Sequence, residues 1–406
     1  MVLMECFSPS LKNPSIAPTT FERFASFLIV IAELMATSLW FSINGVADNL
    51  MGAWETNLAG IGLLTNAVQF GFVAGTLVFA LGGIADRFRP SHLFTICALL
   101  GALFNTTFAL FADNILWGFV FRFFVGICLA GIYPIGMKLI MTWDPQNASN
   151  RIAQLVGMLT LGTATPHAIR YLGMDWSWSI VILCSSILVM VAMGIIFWLG
   201  DGPYLKMTSG ARINLGGIQK IFSIPAYRSS AMGYFGHMWE LYAFWALVPL
   251  LIASTHRINN PIDLSGLAFL VIGIGALGCF IGGHLSKTMG GVKVASFALA
   301  ISGICCLIYP WIKDTPLIIQ ILFWVIWGMS VVADSPQFSA LSAQACPPEI
   351  VGTALTIQNA IGFTITMLSI QISTVFFPLI GDYISWLLLP GPILGVLLLN
   401  RVFKKT

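Results

Sequence analysis

Three carboxylates stand in apolar surroundings, where a charge is expensive. They are Glu33 in Ala32-Glu33-Leu34, Glu240 in Trp239-Glu240-Leu241 and Asp334 in Val332-Ala333-Asp334. Such a carboxyl group can take up and release a proton, or hold a cation, and in a membrane it faces the protein interior or a cavity. His237 lies three residues before Glu240, on the same side of a helix. Its imidazole titrates near neutral pH and can relay a proton. The pair supplies only two of the ligands a metal needs, so no metal centre is expected. Arg122 is the one clear base at comparable depth; it can hold an anionic solute or pair with an acid. Trp40, Tyr234, Trp239, Tyr242 and Trp245 can stack on a planar or cationic solute. Trp327, Ser330, Asp334 and Gln337 recur at spacings of three and four, giving a polar stripe on one helix face. Gln358 and Asn359 can answer it from the next segment, and Thr37 is a further polar contact one turn beyond Glu33. No nucleophile–base pair, phosphate-binding glycine loop or zinc-spaced Cys/His cluster accompanies these residues, so neither an enzyme nor a cofactor is expected.

The elements that position these groups must be apolar helices. Of 406 residues, 58% are hydrophobic and 9% charged, against about 25% charged in soluble domains. Mean hydropathy is +0.90. So few charges cannot coat a soluble particle of this size. The net charge of +3 gives no reason to expect a nucleic-acid partner. The eight cysteines include no CxxC and read as small buried hydrophobes.

A helix needs about 20 apolar residues to cross a bilayer. Twelve such runs are predicted, near 23–46, 57–83, 92–111, 115–141, 151–171, 176–199, 228–254, 264–286, 293–312, 315–344, 352–377 and 382–401. Short loops on one side collect Arg23, Arg87, Arg89, Arg151, Lys206, Arg212, Lys220, Lys287, Lys293 and Arg401; the other side has only Arg170, Arg257 and Lys313. Positive charge marks the cytoplasmic side, so both termini and the central loop are expected there. The predicted division is a tail at 1–22, a six-helix bundle at 23–199, a loop at 200–227, a second bundle at 228–401 and a tail at 402–406.

The halves repeat. Gly82-Gly83-Ile84-Ala85-Asp86-Arg87 is echoed by Gly283-His284-Leu285-Ser286-Lys287, Tyr133-Pro134 by Ser335-Pro336, and Glu33 by Glu240. Three matches about 200 residues apart point to an internal duplication, a recurrent design of membrane transporters.

The segment Gly82 to Asp86-Arg87 resembles the second-to-third-helix loop signature of the major facilitator superfamily. Arg122-Phe123-Phe124-Val125-Gly126 resembles that family's arginine-plus-glycine motif, and Gly162 to Pro166 its glycine/proline motif. Lys287 replaces the acidic residue in the second loop copy. The resemblance implies an all-α membrane protein: twelve helices in two pseudo-symmetric six-helix bundles around an alternately opening cavity. It implies secondary active transport of a small solute, probing one side of an inner or plasma membrane at a time, by a monomer. Proton coupling is expected through Glu33, Glu240, Asp334 and His237. Gly82, Asp86, Arg87, Gly126, Pro134 and Pro166 are expected at the gate or hinges. Three midplane acids against one base point to a cationic, zwitterionic or metal-containing solute. The alternatives are an organic-anion symporter or exchanger using Arg122, and a sensor that keeps the fold without transport.

The charge bias generates a direct test. A reporter active only in the cytoplasm should work when fused after Thr406, and one active only outside should work in the loop at Asp113. An external C-terminus would overturn the orientation.

Overall fold

The computed structural model describes residues 20–173, 175–205, 218–254, 261–347 and 350–403, all helix and connecting turns without a strand. Most of the expected N-terminal tail, the middle of the central loop and the last three residues lie outside them. The helices are α1 (Thr20–Thr37), α2 (Leu58–Leu81), α3 (Pro90–Phe111), α4 (Ile115–Ala130), α5 (Tyr133–Trp143), α6 (Ala148–Leu172) and α7 (Trp178–Leu199) in the first half. The second half holds α8 (Pro225–Ala253), α9 (Pro261–Gly273), α10 (Gly275–Met289), α11 (Gly291–Ile308), α12 (Leu317–Ala333), α13 (Ser335–Ala345), α14 (Val351–Ile380) and α15 (Pro390–Phe403).

Among the described residues, nine helical stretches are long and apolar enough to cross a membrane, α14 and α15 counting together within one of them. Neither α1 nor α6 is among the nine. The first carries Glu22, Arg23 and Glu33; the second carries Asn150, Arg151, Gln154, His167 and Arg170. Both are packed against other helices: α1 on α6 and α7, and α6 on α9 and α10.

Side chains start several of these helices. Asn57 accepts from Gly60 N (3.1 Å) at α2, and Asn114 accepts from Leu116 N and Trp117 N at α4. Asp201 accepts from Ser91 N (2.8 Å) and ties the end of α7 to the start of α3. Such caps satisfy backbone donors that the helix itself leaves unpaired.

The duplication is visible in the packing. In the first half α2 lies on α4 and α3 on α7; in the second, α10 lies on α12 and α11 on α15. Both closest seams are made by glycine. A side chain at Gly71 would run into the Phe123 carbonyl, and one at Gly126 into the Val68 carbonyl. In the second half the equivalents are Gly278 against Met329 and Gly328 against Val271. In lipid such close approach holds helices together. These seams lie within each half, so they offer no sliding surface between halves. The halves meet along α2 with α14, and along α6 with α9 and α10.

Both copies of the X-Pro pair break a helix. The fourth run divides at Gly131-Ile132, where α5 restarts with Pro134 as its second residue. The tenth divides at Asp334, and α13 restarts with Pro336 as its second residue. Proline lacks the N–H that would continue the ladder, and is well suited to a first turn.

The first run also stops early, at Thr37. Residues 38–43 form successive turns before a short 3₁₀ turn at Asn44–Val46. Arg122 holds this unwound stretch. Its Nη2 donates to the carbonyls of Leu39 (2.8 Å) and Trp40 (2.9 Å). Its Nη1 donates to Ser42 Oγ and Asn105 Oδ1, both at 2.9 Å. Asn105 in turn donates to Ile182 O and Ser186 Oγ of α7. Arg122 is fully buried, with the Phe108 ring 5.9 Å away. Lysine has three donors and no planar fork, and methionine has none. Each weakens the hold on these groups: the Trp40 carbonyl loses its donor, at about 1–3 kcal/mol, while Leu39 O keeps only Ser42. Arg122→Met and Arg122→Lys should therefore both lower the apparent Tm of the purified protein by several degrees, read with a dye that reports buried cysteines as they unfold. An unchanged Tm in Arg122→Met would show that the clamp carries no stability.

Candidate functional site

A cavity of about 600 Å³ lies between the two halves. Its inner end is walled by Tyr133 from α5, by Tyr234, Met238, Tyr242 and Trp245 from α8, and by Phe363 from α14. Its mouth carries Asp86, Lys138 and Lys287. It thus opens on the face that bears the Gly82–Arg87 loop and its second-half counterpart.

The opposite end is shut by aromatic rings from both halves. Trp40 is fully buried and stacks on Phe363 at 5.6 Å, with Phe72 at 4.8 Å and Tyr242 at 5.9 Å. Phe41 meets Trp245 edge-on at 5.9 Å. Such ring pairs add about 0.5–1.5 kcal/mol each beyond the area they bury. Beyond this layer, Asn66 of α2 donates to Met367 O (3.0 Å) and Gln371 Oε1 (3.2 Å) of α14, and Gln371 donates to Ala59 O (3.4 Å). A small pocket of about 100 Å³, lined in part by Asn44, Thr65 and His167, lies on that side.

The sequence-predicted residues divide between wall and interior. Tyr234, Tyr242, Trp245 and Gln337 line the cavity. Trp40 lies in the closing layer, where its Nε1 donates to Gln69 Oε1 (3.2 Å). Thr37 gives its hydroxyl to the Glu33 carbonyl and packs at Gly162 of α6. Trp239 points away from the cavity: its Nε1 donates to Leu387 O (2.8 Å) and its ring covers Gly391. The Ser330 hydroxyl closes onto Trp327 O, and Gln358 is buried with neither amide atom partnered. The expected stripe through Trp327, Ser330, Asp334 and Gln337 does not persist, because the break at Asp334 changes the helix phase. Gln337 alone of the four reaches the cavity.

The carboxylates occupy three different environments, all behind the cavity wall. Glu33 is wholly buried, against Gly136 in the first turns of α5. Neither of its oxygens has a hydrogen-bond partner. Glu240, its sequence counterpart, is fully supplied at Oε1: Ser302 Oγ, Cys306 Sγ (3.2 Å) and Trp327 Nε1 (3.0 Å) donate to it. Asp334 sits 2.9 Å from His237 Nδ1, both buried, while His237 Nε2 has no partner. His237 therefore pairs with Asp334 rather than acting with Glu240. No three metal-ligating side chains gather among the described residues.

Arg122 neither meets an acid nor reaches the cavity. Its donors serve the unwound turn described above, and all the acceptors are neutral. At the mouth, Asp86 pairs with Lys138 of α5 at 3.0 Å, and both line the cavity. This pair lies within the first half. Gly82 ends α2, and the tight turn is made by Gly83, whose φ of 60° suits glycine. Arg87 is exposed. Gly126 packs on α2, Pro134 begins α5, and Pro166 lies within α6 against Gly45 of the unwound stretch. Sequence reading missed Tyr133, Met238 and Phe363 as wall residues and gave Asn359, which also lines the cavity, only as a partner of the polar stripe. Tyr133 carried one signal, its place beside the repeated proline; Phe363 had none, being one apolar residue in a long apolar run.

Comparison with known proteins places this architecture. The nucleoside transporter NupG superposes with a TM-score of 0.69 at 12% identity, over 94% of this chain and 99% of that one. The niacin transporter NiaP of Acinetobacter baylyi is 31% identical over 111 residues, 27% of this chain and 25% of the relative. Solute carrier family 22 member 6 of Pseudopleuronectes americanus is 33% identical over 110 residues, 26% of this chain and 19% of the relative. The chain thus matches a quarter or less of the length of these relatives. The family profile described as Major Facilitator Superfamily matches residues 25–370. With a duplicated helical fold, a cavity between its halves and a profile match over most of its length, the chain belongs to the Major Facilitator Superfamily of membrane transporters.

Proposed function

We propose that this protein is a secondary active transporter that carries a small organic solute by alternating access. One observation carries the reading: the cavity takes its walls from both halves, is open at one end and is sealed at the other by contacts that cross between halves. A relative rotation of two internally tight halves would exchange the open and closed ends. In this reading twelve helices span an inner or plasma membrane as bundles at 23–199 and 228–401, with both termini cytoplasmic. The described conformation then faces inward. The printed names of the similar proteins, a niacin transporter and a nucleoside transporter, support a small organic solute. The argument for a cationic solute rested on midplane acids, and those acids do not line the cavity. An anion held by Arg122 loses its support in the same way, since that side chain is occupied elsewhere.

A cysteine placed on the wall tests the cavity. Six of the seven described native cysteines are buried, which keeps the background low. Thr356→Cys should react with a membrane-impermeant thiol reagent applied from the open face of the cavity, and not from the sealed one. Equal labelling from both faces, or from neither, would overturn the reading.

Proton coupling is assigned first to Glu33, then to the Asp334–His237 pair. An ionised Glu33 in this conformation would be a buried charge with no partner, which costs several kcal/mol. It is therefore held here as the neutral acid, and the proton can leave when rotation brings water or a partner to it. Glu240 is fixed by three donors and is assigned a structural role. In proteoliposomes, Glu33→Gln should abolish solute accumulation driven by a pH gradient while leaving solute exchange intact. Accumulation at the native level in Glu33→Gln would move the assignment to Asp334 and His237.

A further inference from the structure

The inner end of the cavity presents hydrogen-bond donors to which the protein supplies no acceptor. Tyr133, Tyr234 and Tyr242 line it together, with the Tyr133 and Tyr242 rings 6.4 and 5.9 Å from the ring of Trp40. They come from both halves, and no hydrogen bond engages their hydroxyls among the described residues. The indole Nε1–H of Trp245 is unpartnered too, but it is buried behind the wall and not open to the cavity. Trp245 is 1% exposed, Tyr242 3% and Tyr234 5%, so these groups are built into a wall and are not surface side chains. Phe363 completes a set of flat faces around the same space. Tyr242 packs edge-on against Trp245 at 5.1 Å and Phe363 at 5.2 Å, and the three together present an aromatic surface against which a flat ring can lie.

The charges at the mouth point the same way. Asp86, Lys138 and Lys287 are the charged side chains that line the cavity. Asp86 and Lys138 neutralise each other. Lys287 remains, with no ion pair among the described residues, at the position where the first half has its acid. A lone positive group beside a low-dielectric cleft attracts anions. A tyrosine hydroxyl can donate or accept; beside the lone positive charge at the mouth it is set to donate, and hydrogen bonds to a charged acceptor are stronger than those to a neutral one.

We propose that the cavity is selective for planar aromatic anions: a flat ring lying among Tyr242, Trp245 and Phe363, with its anionic group held by the tyrosine hydroxyls. This rests on the cavity being the solute site, and it names the class of solute. Hydroxyl donors suit a carboxylate-sized group, and a volume of about 600 Å³ exceeds the needs of a single ring. Larger aromatic acids therefore fit the same site.

Four probes of similar size separate the elements of recognition when their effect on Tm is measured on the purified full chain. Benzoate has the ring and the charge, benzamide the ring without the charge, benzamidine the ring with the opposite charge, and cyclohexanecarboxylate the charge without the flat ring. A ligand that binds the folded state raises Tm in proportion to the logarithm of its concentration over Kd. Benzoate should stabilise at the lowest concentration, benzamide should need about tenfold more, and the other two should give no shift. Tyr242→Phe keeps the ring and removes one donor, and should weaken benzoate about tenfold. Tyr383→Phe, exposed beyond the far end of α14 and outside the cavity lining, should leave benzoate binding unchanged. A benzamidine shift equal to that of benzoate would overturn the charge assignment. Equal shifts from cyclohexanecarboxylate and benzoate would overturn recognition of the flat ring. No shift from any probe, with Thr356→Cys still labelled from one face, would overturn the solute class and leave the cavity reading standing.

Discussion

A backbone that unwinds inside a bilayer must find partners for its carbonyls, because lipid supplies none. The first helix unwinds at Thr37, and the fold of the N-terminal half is organised around the answer. Arg122 reaches from α4 to the freed carbonyls of Leu39 and Trp40. Through Asn105 the same network continues into α3 and α7. The unwound stretch carries Trp40 and Phe41, the two rings that the N-terminal half contributes to the closing layer from this segment. The guanidinium thus fixes where the layer stands, by a bond to backbone and not by any contact with the cavity. It also explains why Gly45 and Gly162 occur where they do. Gly45 lets Pro166 of α6 approach just past the unwound segment, and Gly162 lets α6 approach the end of α1 at Leu34 and Thr37.

The duplication preserved geometry and let chemistry diverge. Both halves break a helix at a proline, and both place a buried acid beside the restart. In the first half that acid is Glu33, supplied by the neighbouring helix and unpartnered. In the second it is Asp334, supplied by the broken helix itself and paired with His237. Glu240, the residue that aligns with Glu33 in sequence, has been absorbed into a hydrogen-bond cluster with Ser302, Cys306 and Trp327. Equivalence by environment therefore links Glu33 with Asp334, not with Glu240.

Much of the architecture was legible in the chain: the apolar runs, the mid-chain repeat and the loop signature led to the correct family and to two packed sets of helices. Gly71 and Gly75, and Gly278 and Gly282, stand four apart in the sequence, a spacing that puts small residues on one helix face and marks a seam without tertiary knowledge. The site was less so. Residue depth can be counted along a run, but the direction of a side chain depends on helix phase, and phase is reset at each break. The stripe through Ser330 and Asp334 fails at such a break. Trp239 and Trp245 look alike in sequence, yet one faces α15 and its flanking turn and the other faces the cavity. Arg122 read as a charge that needed an opposite charge, because carbonyls freed by an unwound turn leave no mark in the residue pattern.

The sealed end of the cavity has a consequence for how readily the protein changes state. Across α2 and α14 it is closed by three neutral hydrogen bonds, from Asn66 and Gln371, and no ion pair among the described residues joins them. Neutral bonds of this kind contribute about 1 kcal/mol each. Losing all three would change the ratio of the two conformations by about two orders of magnitude, against the much larger bias that a buried ion pair could impose. With the ring pairs of the aromatic layer added, the seal is a sum of small neutral contacts that separates the two conformations. It makes their relative population sensitive to small additions, including a single polar substitution in α14 or a change in the lateral pressure of the surrounding lipid.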